Sequence, residues 1–286
     1  MSQMEVTVAQ SVEEAISLLA QKGDGARVIA GGTDLLVRMK KGEVVADRLI
    51  NIGQVSELDY VSYRGDKGLR IGALTSIQTI TKDQVIRVHL PALSEAAALL
   101  GTPTIRRQAT IGGNLCNAAP SADMAPPLLL SEAEARMRSL SGERLISLQD
   151  FFLGPGQTDV RQGELLTEIL VPELPSGSRT VYLKHTRTRG ADLAIVGVAT
   201  MVQMDGRIVK DARIALGAVA PVPMRAAEAE KSLVGRELDD RLLDETAEIA
   251  SSEARPIDDV RGSASYRRQL VRVLVKRALK MTTEKN

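Results

Sequence analysis

Two glycine pairs carry the strongest chemical signal in this chain. They are Ala30-Gly31-Gly32-Thr33-Asp34 and, about 80 residues on, Thr110-Ile111-Gly112-Gly113-Asn114. Glycine has no Cβ and tolerates positive φ, so consecutive backbone N–H groups can converge on a ligand. Such a run of N–H groups is an anion nest. The first run lies between the apolar stretch Val28-Ile29 and the apolar Leu35. There a strand would deliver the nest and a helix turn would add its positive end. Thr33 offers a hydroxyl to a phosphate oxygen; the plain alternative is a strand-to-helix turn without a ligand. In the second run Thr110 and Asn114 flank the glycines, and Asp123 lies nine residues later. A hydroxyl, an amide, bare backbone and a carboxylate suit a nucleotide, the carboxylate accepting from ribose hydroxyls. The alternative for Asp123 is a helix N-cap ahead of Met124 and Pro126. Two nests far apart in sequence suggest one diphosphate gripped from two sides.

Other chemistries lack their residues. Neither run is GxGxxG, and no Walker lysine comes after the glycines. No serine, histidine and acid grouping points to acyl transfer. One cysteine, Cys116, cannot form an internal disulfide or hold an iron–sulfur cluster, which takes about four ligands. With only His89 and His185, zinc is not expected either. His185, beside Lys184 on a predicted strand, reads as structural. The 37 basic and 36 acidic residues leave a net charge of +1, which advertises no polyanionic partner. Arg106-Arg107 and Arg267-Arg268 read as local basic clusters, the second as a solvated face. Four Tyr, two Phe and no Trp leave few stacking platforms for nucleic acid. The polar start Met1-Ser2-Gln3-Met4-Glu5 carries no apolar leader, and no run approaches a membrane span. A cytoplasmic protein is expected.

The elements that must hold these motifs are partly legible. Ser11-Val12-Glu13-Glu14 reads as a capping box opening a helix that ends near Gly23. Arg27 to Ala30, Arg48 to Ile52 and Leu69 to Ala73 read as strands, and Asp34 to Met39 as a helix turn. Thr75/Ser76 starts a helix, and Pro91 to Leu100 is another with proline in its first turn. Alternating strands and helices predict βα units in this half. Pro126-Pro127 opens an apolar helix, and Ser141-Gly142 turns a hairpin. Pro172 to Ser178 reads as a linker. Beyond it lie strands at Thr180 to Thr186, Ala194 to Met204 and Ile208 to Val219, the last two joined by an Asp205-Gly206 hairpin. Helices come next at Ala226 to Leu233, Leu238 to Ala254 and Ser265 to Met281. The 286 residues suit about two domains. The second is an antiparallel sheet plus a helical layer, an α+β unit.

Taken together, three segments resemble the FAD-binding medium subunit of molybdenum hydroxylases, a family that includes xanthine dehydrogenase and aerobic carbon monoxide dehydrogenase. They are Ala30-Gly31-Gly32-Thr33-Asp34-Leu35, Ala109-Thr110-Ile111-Gly112-Gly113-Asn114-Leu115-Cys116-Asn117-Ala118 and Pro120-Ser121-Ala122-Asp123. Tyr182-Leu183-Lys184, the stretch Arg187 to Ala194, and Arg261 to Arg268 extend the likeness over nearly the whole chain. The resemblance implies an α+β fold. A two-subdomain FAD-binding unit of the PCMH/vanillyl-alcohol-oxidase type would span 1–175, and an α+β C-terminal domain 178–286. It implies that Val28, Ile29, Ala30, Gly31, Gly32, Thr33, Asp34 and Leu35, with Thr110, Ile111, Gly112, Gly113 and Asn114, wrap the FAD diphosphate. Asp123 would hold the ribose or the adjoining sugar-like chain. Leu170 would pack on the flavin or adenine, Lys184 would contact the isoalloxazine edge, and Tyr182 would lie near the ring. Leu100 stands where some relatives carry Phe. Core packing is the alternative for Tyr182 and Leu170. Cys116 would be a small buried residue in the FAD loop. Relatives with an extra iron–sulfur cluster carry a cysteine-rich insertion, which a single cysteine excludes.

The same resemblance implies partners: a large molybdenum-cofactor subunit and a small iron–sulfur subunit, assembled as a hetero-oligomer such as a dimer of heterotrimers. Electrons would enter FAD from the clusters and leave to NAD, a quinone or oxygen. That role needs no catalytic acid, base or metal ligand from this chain, and nucleic acid is not a partner. Two rivals stand beside it: a free-standing FAD oxidoreductase with its own substrate pocket, and a non-catalytic module that holds a nucleotide to stabilise an assembly.

Overall fold

The computed structural model describes residues 4–22, 25–188 and 190–284. Met1 to Gln3, the expected helix end at Gly23, and Arg189 within the stretch 187–194 lie outside the described residues. The chain begins with β1 (Glu5–Val8), α1 (Val12–Lys22), β2 (Ala26–Ile29), α2 (Leu35–Lys40) and β3 (Arg48–Asn51). The three strands form a parallel sheet with β3 in the middle. Here the βα reading holds. The capping box is present in shifted form: Glu14 N–H donates to Ser11 Oγ at 3.1 Å, while the Glu14 carboxylate accepts from Gln10 N–H at 2.8 Å. Helix α1 then buries Val12, Ala15, Ile16 and Leu19, one face at helical spacing, against Ile50 of β3.

The next unit departs from that reading. It runs through β4 (Val61–Tyr63), β5 (Leu69–Gly72), α3 (Ile77–Lys82), α4 (Gln84–His89), α5 (Pro91–Leu99), α6 (Pro103–Gln108), α7 (Ile111–Cys116) and α8 (Ala125–Leu130). It continues with β6 (Glu134–Ser139), β7 (Gly142–Ser147), α9 (Leu148–Phe151), β8 (Phe152–Gly154), β9 (Gln157–Thr158) and β10 (Leu165–Val171). Five of these strands form a sheet in the order β4-β5-β10-β6-β7, and every pairing is antiparallel. The helices are therefore inserted between strands of an antiparallel sheet, rather than crossing over between parallel ones. The central strand β10 has no sequence signature of its own. Its mid-strand Glu168 interrupts the apolar pattern, and that side chain is held by Arg136 at 2.9 Å and Arg70 at 3.3 Å.

After 172–178, where no helix or strand forms, come β11 (Arg179–His185), β12 (Val196–Asp205), β13 (Ile208–Gly217) and β14 (Met224–Arg225). They make one antiparallel sheet in that order. The Asp205-Gly206 turn is as expected, with Gly206 at φ +58°. Three helices complete the described chain: α10 (Ala227–Leu233), α11 (Asp240–Glu253) and α12 (Ala264–Glu284). The strand period sends alternate side chains to opposite faces, and both faces of the sheet are covered. Val181, Val198 and Leu216 pack with α11 and α12, while Tyr182, Ala199 and Ala215 join the core beneath α5 and α8. The antiparallel sheet with a helical layer agrees with the expectation. The solvated reading of Arg267 does not. It is 3% exposed and donates to Ile195 O, Ala218 O and Asp259 at 2.9, 3.0 and 2.6 Å. Buried carbonyls need donors, and this guanidinium supplies them.

Candidate functional site

The two glycine runs meet. A Cβ on Gly31 would stand 1.7 Å from the carbonyl oxygen of Gln108, so β2 emerges directly against the end of α6. Only glycine permits that approach. The contact forms one wall of an open cavity of about 1010 Å³, which residues of the segment 156–166 and Ala191 to Leu193 also line.

The runs do different work. Gly32 takes φ +68°, turning the chain from β2 into α2. Among the described residues, no protein acceptor lies against the backbone N–H groups of Gly31, Gly32, Thr33, Asp34 or Leu35, all five of which line the cavity. The second run spends its N–H groups internally. Ile111 donates to Thr75 O at 3.0 Å, Gly112 to Ala73 O at 2.9 Å, Gly113 to Thr110 Oγ1 at 3.0 Å, and Asn114 to Thr110 O at 3.0 Å. Thr110 is the N-cap of α7, and the second glycine pair sits in that helix's first turn. Gly112 is glycine because a Cβ would lie 2.8 Å from Ala73 O. What this run presents to the cavity is bare backbone and the Asn114 side chain, whose Oδ1 is buried with no hydrogen-bond partner. A buried acceptor left unpaired is costly, and a ligand donor would satisfy it.

Val28, Ile29 and Ala30 line the same cavity beside the first run; Leu100 and Asp123 line it elsewhere. Ile111, Leu170, Tyr182 and Lys184 do not. Ile111 is in the core. Leu165 and Leu166 are the β10 residues that reach the cavity; Leu170 pairs with Arg70 and Glu134 about 13 Å further along the strand. Tyr182 and Lys184 stand behind Asp123. The Tyr182 hydroxyl donates to Asp123 Oδ1 at 2.9 Å, and Lys184 Nζ donates to Oδ2 at 2.8 Å and to Leu99 O at 3.1 Å. Asp123 is not a helix cap, since α8 is entered through Met124 with no side-chain cap bond. Burial pushes the Asp123 carboxyl up, opposed by Lys184 and then Tyr182. Burial and the adjacent Asp123 push the Tyr182 hydroxyl well above its usual range.

Cys116 is not buried, as the sequence suggested; it is exposed on the cavity wall. The surrounding walls still desolvate its thiol and push it up to about 12, so it carries no thiolate at neutral pH. Sequence reasoning missed Arg38, which lines the cavity from the short helix α2; Asp192 and Leu193, within the stretch 187–194 that carries the resemblance, line it from described residues that form no strand. The fit to a flavin dinucleotide is good. Five free N–H groups suit a diphosphate, an orphaned amide oxygen and an anchored carboxylate suit hydroxyl or imide donors, and Leu100, Leu166 and Leu193 supply apolar walls for rings.

Residues 2–174 match the FAD binding domain in molybdopterin dehydrogenase. The chain belongs to that family. Residues 181–282 match the CO dehydrogenase flavoprotein C-terminal domain. Among relatives, the glyceraldehyde dehydrogenase medium chain of Sulfolobus acidocaldarius is 37% identical over 272 residues, 95% of each chain. The carbon monoxide dehydrogenase medium chain of Hydrogenophaga pseudoflava is 33% identical, covering 94% of this chain and 93% of its own. The solved carbon monoxide dehydrogenase from that organism superposes with a TM-score of 0.94 over 98% of this chain and 97% of its own, at 33% identity. The chain is thus an FAD-binding medium subunit of the molybdenum hydroxylase type, and FAD is its cofactor.

Proposed function

We propose that this medium subunit is an electron relay. It takes electrons from an iron–sulfur subunit whose molybdenum partner oxidises the substrate, and it passes them to an external acceptor. Bound FAD supplies the chemistry, taking electrons singly and giving up a pair. The chain's residues bind and orient it. Gly31 to Leu35 donate to the diphosphate, Asn114 accepts from the sugar-like chain, Asp123 grips the flavin end, and the leucines exclude water from the ring. Thr110 and Gly112 set the α7 wall, with Ile111 locking it from the core.

The observation that carries this reading is a dinucleotide-sized cavity lined both by the Gly31–Leu35 backbone N–H groups, which have no protein acceptor among the described residues, and by the anchored Asp123 carboxylate. Carboxylates line it at Asp34, Glu43, Asp123, Glu164 and Asp192; of these Asp123 is engaged by Lys184 and Tyr182 and Glu164 by Arg144, while the Cys116 thiol is held protonated. The relatives' names support work within a complex, as medium chains of larger dehydrogenases. We place the unit boundary at 175–178 and the assembly in the cytoplasm; no described helix is long and apolar enough to cross a membrane. Co-purification of the tagged chain tests the assembly. A large and a small subunit in equal amounts, with FAD reduced on addition of substrate and reoxidised by NAD, a quinone or oxygen, is the expected result. Substrate oxidation by the isolated chain would instead make it a free-standing oxidoreductase.

A further inference from the structure

Strand β11 belongs to the C-terminal sheet, yet every second residue of it reaches into the first half of the chain. Thr180 Oγ1 accepts from Ala92 N–H at 3.2 Å, and Tyr182 N–H donates to Glu95 Oε2 at 2.8 Å. Lys184 bridges Asp123 and the last carbonyl of α5, Leu99 O, with its side chain only 3% exposed. From the other side the Arg106 guanidinium donates to Ala98 O, Leu100 O and Gly101 O at 3.1, 3.0 and 3.1 Å. Two cations therefore tie down four successive carbonyls at the end of α5. Leu100, Gly101 and Asp123 face the cavity, while Lys184 and Tyr182 do not.

We propose that Lys184 and Tyr182 are positioning residues that fix the Asp123 carboxylate and the Leu99–Gly101 wall at the flavin end of the cavity, leaving the carboxylate to accept from the flavin imide N–H or a ribityl hydroxyl. This inference rests on the proposed FAD-binding role. A carboxylate offers about four lone-pair sites. Two are taken from behind, which leaves two for the ligand. The Gly31–Leu35 N–H donors suit the diphosphate and the Asp123 carboxylate suits a donor group, so the two are assigned to different ends of the cofactor. The apolar Leu100, next to the Leu99 carbonyl that Lys184 holds together with Asp123, suits a ring rather than a diphosphate. In this arrangement the C-terminal domain contributes to cofactor recognition without Lys184 touching the cofactor.

The test is a double-mutant cycle on the full-length apo chain, read by FAD titration with ADP as a competing probe for the diphosphate end. Lys184→Met and Asp123→Asn each raise the FAD dissociation constant by about 10- to 100-fold. Neither changes ADP binding, and the double variant is no weaker than the weaker single, because both act through one carboxylate. Lys184→Arg restores most of the affinity. Tyr182→Phe, which removes one hydroxyl and leaves the packing, guards against a misfolded Lys184 variant; it weakens FAD and spares ADP. Losses that multiply in the double variant would make Lys184 a direct ligand and overturn the proposal. Equal loss of ADP and FAD would overturn it as well, by marking a structural role. A wild-type chain that binds neither FAD nor ADP would refute the FAD reading itself.

Discussion

Gly31→Ala is the most informative single perturbation of the site. The added methyl would lie 1.7 Å from the Gln108 carbonyl oxygen, and ordinary contact begins at 3.4 Å, so the two backbones must part by roughly 1.7 Å. The neighbour is backbone and cannot swing away. Ala109 N–H donates to Ile105 O at 2.7 Å, and Ala109 O accepts from Ile77 N–H at 2.9 Å. Overpacking costs about 1–3 kcal/mol, and a rigid neighbour puts this case at the upper end. The shift also moves the Gly31–Leu35 donors off the diphosphate. Losing two charge-assisted hydrogen bonds of about 1.5 kcal/mol each raises the FAD dissociation constant about 100-fold. Urea unfolding of the apo chain reads the first quantity and FAD titration the second. Gly154→Ala, whose methyl would meet nothing closer than 3.5 Å, is the control and should leave both unchanged. A Gly31→Ala chain with wild-type urea midpoint and FAD affinity would refute the claim that the two runs meet.

Asn114→Leu removes an unpaired buried acceptor, so the apo chain should be no less stable by urea unfolding while FAD affinity falls about tenfold. Arg267→Met should destabilise by about 3 kcal/mol in the same assay, since Ile195 O, Ala218 O and Asp259 lose their donor together. Partial burial raises the Asp259 carboxyl, but Arg261 N–H and the Arg267 and Arg261 guanidinia outweigh it and bring it down to about 2. A depressed carboxyl adds stability above its unfolded range near 3.9, which is lost as pH falls through the folded value. Thermal melts should therefore show an Asp259-dependent loss below pH 4 that Asp259→Asn removes. Cys116, exposed yet held at about 12, should react with iodoacetamide at pH 8 far more slowly than a free thiol; a normal rate would contradict its desolvation.

The glycine pairs were legible because close backbone approach leaves a compositional mark. Their division of labour was not. Whether a glycine is needed for φ, as at Gly32, or for space, as at Gly31 and Gly112, depends on what packs against it. Local signals also gave most helices and the C-terminal hairpin. Strand β10 escaped because Glu168 breaks its apolar run, and only Arg70 and Arg136 from neighbouring strands make that tolerable. Arg267 was misread because a buried guanidinium looks, in sequence, like any solvated one. Lys184 and Tyr182 share a strand face with Thr180, and that period-2 spacing was a readable hint that they act together. The Asp123 they serve lies about 60 residues away and only the fold brings it in.

The central claim is that this cavity holds one FAD between the Gly31–Leu35 donors and the Asp123 carboxylate. A titration of the purified full-length apo chain with FAD, with flavin absorbance read after removal of excess ligand, tests it directly. The account predicts one FAD retained per chain, with retention sharply reduced in Gly31→Ala and Asp123→Asn. A correctly folded chain that retains no flavin, or variants that retain it as well as the parent does, would contradict it.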